Sequence, residues 1–148
     1  MPTTGASMSY KVIPKGLPGY EDYHAIQITY HMSSGVQDAR HPHPGSPYYA
    51  IGFPKITFLP DTELGRLALK LLEKAFNQQL TFNLVANQNT KDAIVAWNPL
   101  IDHKTEFESN DKNGFPDPGY LECVMRQLSR LGISTEGTEE DEEEATCV

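Results

Sequence analysis

The feature that most constrains the fold is an apolar stripe in the middle of the chain. Seven apolar residues recur at the three- and four-residue spacing that places them on one face of an α-helix: Leu64, Leu67, Ala68, Leu71, Leu72, Ala75 and Phe76. Pro60 and Asp61 come just before the stripe, and aspartate is a favoured N-cap residue. Gly65 should weaken this helix by about 1 kcal/mol relative to alanine. The pattern predicts a helix over about residues 62–79 with Asp61 as its N-cap.

A second helix is predicted near the carboxy terminus. Asp117 is a suitable N-cap, and Pro118 follows it at the first helical position, where the missing N–H costs nothing. Gly132 is the expected residue just past the helix end. The predicted helix covers about residues 118–131, and one face carries Leu121, Val124, Met125, Leu128 and Leu131.

Alternation of apolar and polar residues predicts short β-strands around these helices. Ile26, Ile28 and Tyr30 fall on one face of residues 24–30, with polar residues between them, which is the period of a half-buried strand. A polar tip at residues 86–92 separates two further strands and predicts a hairpin that leads to Trp97. Strands are predicted at residues 11–13, 24–30, 55–59, 80–84 and 93–97.

A long irregular segment, residues 33–54, contains four prolines and three glycines, which exclude a sustained helix or a central strand. Long loops inside compact domains are usually functional. Its two histidines, His41 and His43, have no third ligand at a suitable spacing, so no metal site is predicted. The segment is expected to pack through its apolar side chains, Val36, Tyr48, Tyr49, Ile51 and Phe53.

These elements predict an α+β fold: a single domain in which a small sheet packs with two main helices and long irregular loops. The domain should cover residues 1–135, and residues 136–148 should form an acidic disordered tail, because they offer almost nothing to bury. The net charge is -8, and the tail carries seven acids, so the body, with 20 − 7 = 13 acids and 12 bases, is near neutral. Binding to duplex nucleic acid, which needs clustered Lys and Arg, is therefore disfavoured.

Composition also limits the compartment and the partners. Two cysteines are too few for a disulfide framework or a zinc module, and no apolar run approaches the length of a membrane span. A cytoplasmic or nuclear protein without membrane contact is the expectation. The terminal residues Thr146–Val148 could add as a strand to a domain that binds carboxy termini.

The stretch from Trp97 to Leu121 concentrates the unusual residues: the only tryptophan, the Asp102-His103 pair, Asn113 and a Gly-Phe-Pro-Asp-Pro turn. Irregular polar backbone between a strand and a helix is typical of a binding or catalytic loop. The alternative is a solvated surface connection. A hydrolase triad is disfavoured, because the chain has no Gly-x-Ser-x-Gly elbow.

Several separated blocks resemble the deltex carboxy-terminal domain of the deltex family of E3 ubiquitin ligases. They are SYKVIPKGLPGYEDYHAIQITY, HPHPGSPYYAIGFP, FLPDTELGRLALKLLEKAFNQQLTF and WNPLIDHKTEFESN with GFPDPGYL. The resemblance implies an α+β domain that binds ADP-ribose or NAD and follows a RING zinc domain. The pair attaches ubiquitin to an ADP-ribose or nucleic-acid hydroxyl, the RING recruits the ubiquitin-loaded E2, and the family regulates Notch signalling.

The resemblance also implies site residues, and this chain departs from several of them. The resemblance implies two catalytic positions. At the first, the family has histidine and this chain has Asp102; at the second, the family has the glutamate that serves as base and this chain has Gln127. The phosphate-side loop corresponds to the glycine-free residues 86–92. The implied ligand-binding positions are Asn87, Gln88, Trp97, Asp102, His103, Asn113, Gly114 and Phe115.

These departures lead to two hypotheses. The first is a stand-alone deltex-type binding or adaptor module of the ubiquitin system with a degenerate pocket, which requires no cofactor but could take ADP-ribose or NAD as a ligand. The second is the substrate-side part of a RING-type E3 ligase whose RING lies upstream or acts in trans. The expected partners are a RING protein or a ubiquitin-loaded E2 in trans, and an ADP-ribosylated protein. A third hypothesis, an interaction protein working through its tail, ranks last because acidic tails are commonly solubilising.

Overall fold

A computed structural model describes residues 5–134 of the chain, so the predicted tail lies outside the described residues. The α+β class is confirmed, but two small sheets stand where one was predicted. The elements in chain order are β1 (Ser7–Ile13), β2 (Ala25–His31), β3 (Gly35–Val36), β4 (Pro47–Tyr49), β5 (Lys55–Pro60), α1 (Glu63–Asn77), β6 (Phe82–Ala86), β7 (Ala93–Trp97) and α2 (Tyr120–Arg130).

The first sheet has three antiparallel strands in the order β1-β2-β5. The predicted alternation in β2 is confirmed, because Ile26, Ile28 and Tyr30 are all fully buried. β1 is longer than the three residues predicted, and most of it is exposed. β2 is the central strand of this sheet, and its buried side chains form part of the hydrophobic core.

The second sheet has four strands in the order β3-β4-β7-β6 and includes the predicted hairpin of β6 and β7. β4 lies inside this sheet, parallel to β7, so the expectation that residues 33–54 contain no central strand was wrong. Pro47 is accommodated because it is the first residue of β4. Val36, Tyr49 and Ile51 are exposed, so the expected packing was wrong for them. In β4, Tyr48 is buried and Tyr49 is not, because successive side chains in a strand face opposite sides.

The stripe of α1 packs as predicted, with Ala68, Leu71, Leu72 and Ala75 buried. The N-cap is Thr62 and not Asp61: the Thr62 hydroxyl accepts a hydrogen bond of 2.9 Å from the N–H of Gly65. The Asp61 carboxylate instead accepts hydrogen bonds from the Arg66 guanidinium at 2.5 and 3.1 Å. α1 therefore begins one residue later than predicted and ends at Asn77.

The second helix also begins later than predicted. Its N-cap is Gly119, because the Asp117 carboxylate is engaged by Lys104 and does not cap the helix. The predicted end is confirmed: Gly132 has a φ of 87°, and its N–H donates to the Ser129 carbonyl at 2.9 Å. Between residues 5 and 134, no helix is long and apolar enough to cross a membrane.

Candidate functional site

The centre of the candidate site is a stack of rings at the end of β7. The indole of Trp97 lies between two partners, with ring centroids 4.0 Å from His103 and 4.8 Å from Phe82, both nearly parallel to it. Tyr30 meets Trp97 and His103 edge-on, at 5.6 and 6.1 Å. Two residues predicted as ligand-binding, Trp97 and His103, therefore pack against each other and against the core.

Burial in this stack changes the acid-base behaviour of His103. The Nε2 atom is buried and has no hydrogen-bond partner among the described residues. Removal from water disfavours the charged imidazolium, and burial lowers the pKa of His103 from 6.5 to about 3. The ring is thus neutral at physiological pH and serves as a flat, uncharged surface next to Trp97.

The lowered pKa predicts a loss of stability in acid. Between pH 6.5 and about 3, the unfolded chain takes up a proton on His103 that the folded domain does not, so the free energy of unfolding falls as pH falls. Its contribution has an upper limit of about 1.4 kcal/mol for each unit of pH. Urea unfolding of wild type and His103→Phe at several pH values in this window should show a smaller acid destabilisation in the variant.

The matched control is Gln88→Phe, which adds the same ring at an exposed position of the hairpin tip and removes no titratable group. It should retain the wild-type dependence on pH. An identical dependence in wild type and His103→Phe would contradict the assigned protonation state.

Asp102 and Gln127, which the resemblance predicts to stand at catalytic positions, bind each other across 25 residues of sequence. The Gln127 Oε1 accepts from the Asp102 N–H at 2.9 Å, and the Gln127 Nε2 donates to the Asp102 Oδ2 at 3.1 Å. The Tyr120 hydroxyl donates to the Asp102 carbonyl at 2.8 Å. A carboxamide neither gains nor loses a proton near neutral pH, so this contact orients Asp102 and fixes the loop to α2 without supplying a base.

A buried lysine organises the irregular part of the stretch. Lys104 is only 2% exposed, and its Nζ donates to the Lys112 carbonyl at 2.6 Å and to the Asp117 Oδ2 at 2.7 Å. The same Nζ lies over the Tyr120 ring, 5.0 Å from its centroid. Lys104 thereby connects Lys112, which precedes Asn113 in the loop, with Asp117 and Tyr120 at the start of α2.

The remaining predicted residues are dispersed. Asn87 and Gln88 are exposed at the tip of the hairpin, and Asn113 is exposed in its loop. In the part of the chain that the structure describes, no hydrogen bond joins this tip to residues 97–121; the Lys91 carbonyl instead accepts from Gln37 at 3.0 Å. Gly114 and Phe115 are buried, and Phe115 packs in the core.

Three residues that shape the site were missed from the sequence: Tyr30, Lys104 and Tyr120. Tyr120 is buried among apolar residues, which raises its pKa, and its hydroxyl binds the Asp102 backbone. The position of Tyr30 on the buried face of β2 was a usable signal, but nothing in the sequence indicated that Lys104 would be buried. Within residues 5–134, no three His, Cys, Asp or Glu side chains are grouped to hold a metal ion.

Comparison with known proteins decides the family. The model of the Deltex C-terminal domain matches residues 1–133, which is most of the chain. The chain belongs to the deltex C-terminal domain family. The resemblance predicted from the sequence is thereby confirmed, and the fold described above is that of a deltex C-terminal domain.

The relatives are larger proteins of the ubiquitin system. The deltex domain is similar to the E3 ubiquitin-protein ligase DTX1 of Xenopus laevis, at 43% identity over 87% of this chain and 21% of the relative. It is 41% identical to the E3 ubiquitin-protein ligase DTX4 of Mus musculus, over 92% of this chain and 22% of the relative. It is also similar to the probable E3 ubiquitin-protein ligase DTX3 of Homo sapiens, at 38% identity over 90% and 38%. The chain thus spans about a fifth of the length of the first two relatives.

Proposed function

We propose that this deltex domain is a binding or adaptor module of the ubiquitin system in which the nucleotide pocket is degenerate. The observation that carries the proposal is the mutual hydrogen bonding of Asp102 and Gln127. Both side chains stand at family catalytic positions, and each occupies hydrogen-bonding capacity of the other. The carboxamide of Gln127 cannot take a proton from a sugar hydroxyl, and its Nε2 holds one oxygen of the Asp102 carboxylate.

Charge and backbone support the same conclusion for ligand binding. Asp102 places a negative charge where a phosphate-bearing ligand such as ADP-ribose would approach, and like charges repel. At the hairpin tip, the Asn87 carboxamide accepts from the N–H groups of Asn89 and Thr90 at 2.8 and 3.1 Å, so these two donors are already used. We therefore expect ADP-ribose and NAD to bind this domain weakly.

The test is isothermal titration of the full chain with ADP-ribose and with NAD. We expect dissociation constants above about 1 mM, corresponding to less than about 4 kcal/mol of binding free energy. The double variant Asp102→His, Gln127→Glu replaces the mutual contact with the family residues and should bind ADP-ribose more tightly than wild type. A micromolar dissociation constant for wild type that Asp102→Ala abolishes would contradict the degenerate pocket.

The control for the double variant makes the same chemical changes at exposed positions. Asp22→His, Gln78→Glu alters charge equally at two exposed positions outside the predicted site. Its affinity for ADP-ribose should equal that of wild type. A gain in both double variants would assign the effect to overall charge and not to the site.

The second candidate function is the substrate-side part of an E3 ligase, favoured by the names of the relatives. A RING protein and a ubiquitin-loaded E2 would then act together with this domain on a protein or an ADP-ribosylated target. A reconstituted reaction with a RING domain supplied in trans should yield ubiquitylated product only when the deltex domain is present. A role in Notch signalling rests on the family resemblance and is part of this second proposal.

A further inference from the structure

A groove lies on the outer face of α1, away from the ring stack. It has a volume of about 610 Å³ and is lined by Glu63, Leu64, Arg66, Leu67 and Lys70. The two leucines are half-buried, so the groove offers apolar surface with charged groups along its edge. All five residues belong to α1, so the groove is formed by one exposed face of this helix.

Three basic residues form a row along this face. Arg66, Lys70 and Lys74 are spaced four residues apart, so they lie one above the other on the helix surface. Arg66 is paired with Asp61, and Glu63 adds one acid at the far end of the groove. Among residues 5–134, Lys70 takes part in no ion pair.

The end of the described chain lies at the foot of this row. The Lys74 Nζ donates a hydrogen bond of 3.0 Å to the carbonyl of Ser134, the last described residue. The following 14 residues include the seven acids between Glu136 and Glu144 and not one base. The described chain therefore ends where the row of basic side chains begins, and the acidic segment follows it in sequence.

We propose that residues 136–144 dock intramolecularly along the groove of α1, with their carboxylates facing Lys70 and Arg66. The distance from Lys74 to Arg66 along the helix is about 12 Å, and five residues of extended chain span up to about 17 Å. Acids from Glu136 to Glu140 are thus within reach of Lys70. A short tether supplies a high effective concentration, so individually weak pairs suffice to populate the docked state.

The docked tail would occupy the face of α1 formed by the five groove residues, none of which belongs to the ring stack around Trp97. An acidic segment of another protein would have to displace the tail before it could use the same groove. Because the contacts are exposed ion pairs, the docked population should fall with ionic strength.

The test is NMR of the full chain and of a tail-neutral variant in which the acids of residues 136–144 become Gln or Asn. We expect the backbone amides of residues 63–74 to differ between the two at about 0.1 M NaCl, where the Debye length is about 10 Å. At about 1 M NaCl, where it is about 3 Å, the two spectra should converge. Identical spectra at the lower salt concentration would overturn the proposal.

A charge-reversal variant assigns the effect to the groove. Lys70→Glu in the full chain should abolish the tail-dependent differences, and replacing the acids of residues 139–141 by lysine should restore part of them. Lys11→Glu, an equal change at an exposed position of β1, is the control and should leave them intact. Equal effects of the two lysine variants, or differences that grow with protein concentration, would overturn intramolecular docking.

Discussion

Replacing Gly65 by alanine is expected to destabilise the domain by about 3 kcal/mol, near the upper end of the usual cost of overpacking. In a helix interior this substitution ordinarily stabilises by up to about 1 kcal/mol. Here a Cβ on Gly65 would collide with the carbonyl oxygen of Pro60, which belongs to the backbone and cannot turn aside. The free energy of unfolding in urea is the measurement.

The control is Gly119→Ala. Gly119 precedes α2 with a φ of -96°, and a Cβ there meets no atom within 4 Å. Because alanine is a poorer N-cap than glycine, we expect this variant to lose no more than about 1 kcal/mol, well short of the loss in Gly65→Ala. If Gly65→Ala were instead as stable as wild type, the close approach of α1 to the end of β5 would be wrong.

Removal of the Asp117 carboxylate has the second large expected effect. Asp117→Ala leaves the charged Nζ of Lys104, which is 2% exposed, without its carboxylate partner. Breaking a buried ion pair from one side typically costs about 3–5 kcal/mol. Because the Asp117 side chain is 39% exposed and water can enter, we expect the lower end, about 3 kcal/mol, in urea unfolding.

A double variant separates the cost of the unpaired charge from the value of the pair. Lys104→Met in the Asp117→Ala background removes the buried charge and should recover most of the lost stability. Asp22→Ala, which removes an exposed acid, should change stability by no more than about 0.5 kcal/mol. A loss of that small size in Asp117→Ala would contradict the role assigned to Lys104.

Local patterns in the sequence predicted the elements better than their arrangement. The stripe of α1 and the alternation in β2 are properties of a few neighbouring residues, and both were confirmed. β4 was missed because three residues are too short to show a period, and its strand character depends on pairing with β7, 45 residues away at Tyr48 and Ala93. The N-caps were misplaced because Asp61 and Asp117 each find a basic partner, and that choice depends on tertiary contacts.

The site shows the same limit more strongly. The stretch around Trp97, Asp102 and His103 could be predicted from the sequence, because polar irregular segments between regular elements are typical of binding and catalytic loops. The sequence could not show that Gln127 binds Asp102, since the contact joins two half-buried polar residues 25 positions apart. It also could not show that Lys104 is buried, because lysine is almost never buried unless it is paired.

The two sheets draw on overlapping parts of the chain. The first sheet draws on residues 7–60 and the second on residues 35–97, so β3 and β4 belong to one sheet but lie in sequence between two strands of the other. Any break of the backbone between β1 and β7 therefore separates strands that must pair. No continuous fragment holds all strands of the second sheet without also holding β5 of the first, and the ring stack draws on both sheets through Tyr30 in β2, Phe82 in β6 and Trp97 in β7.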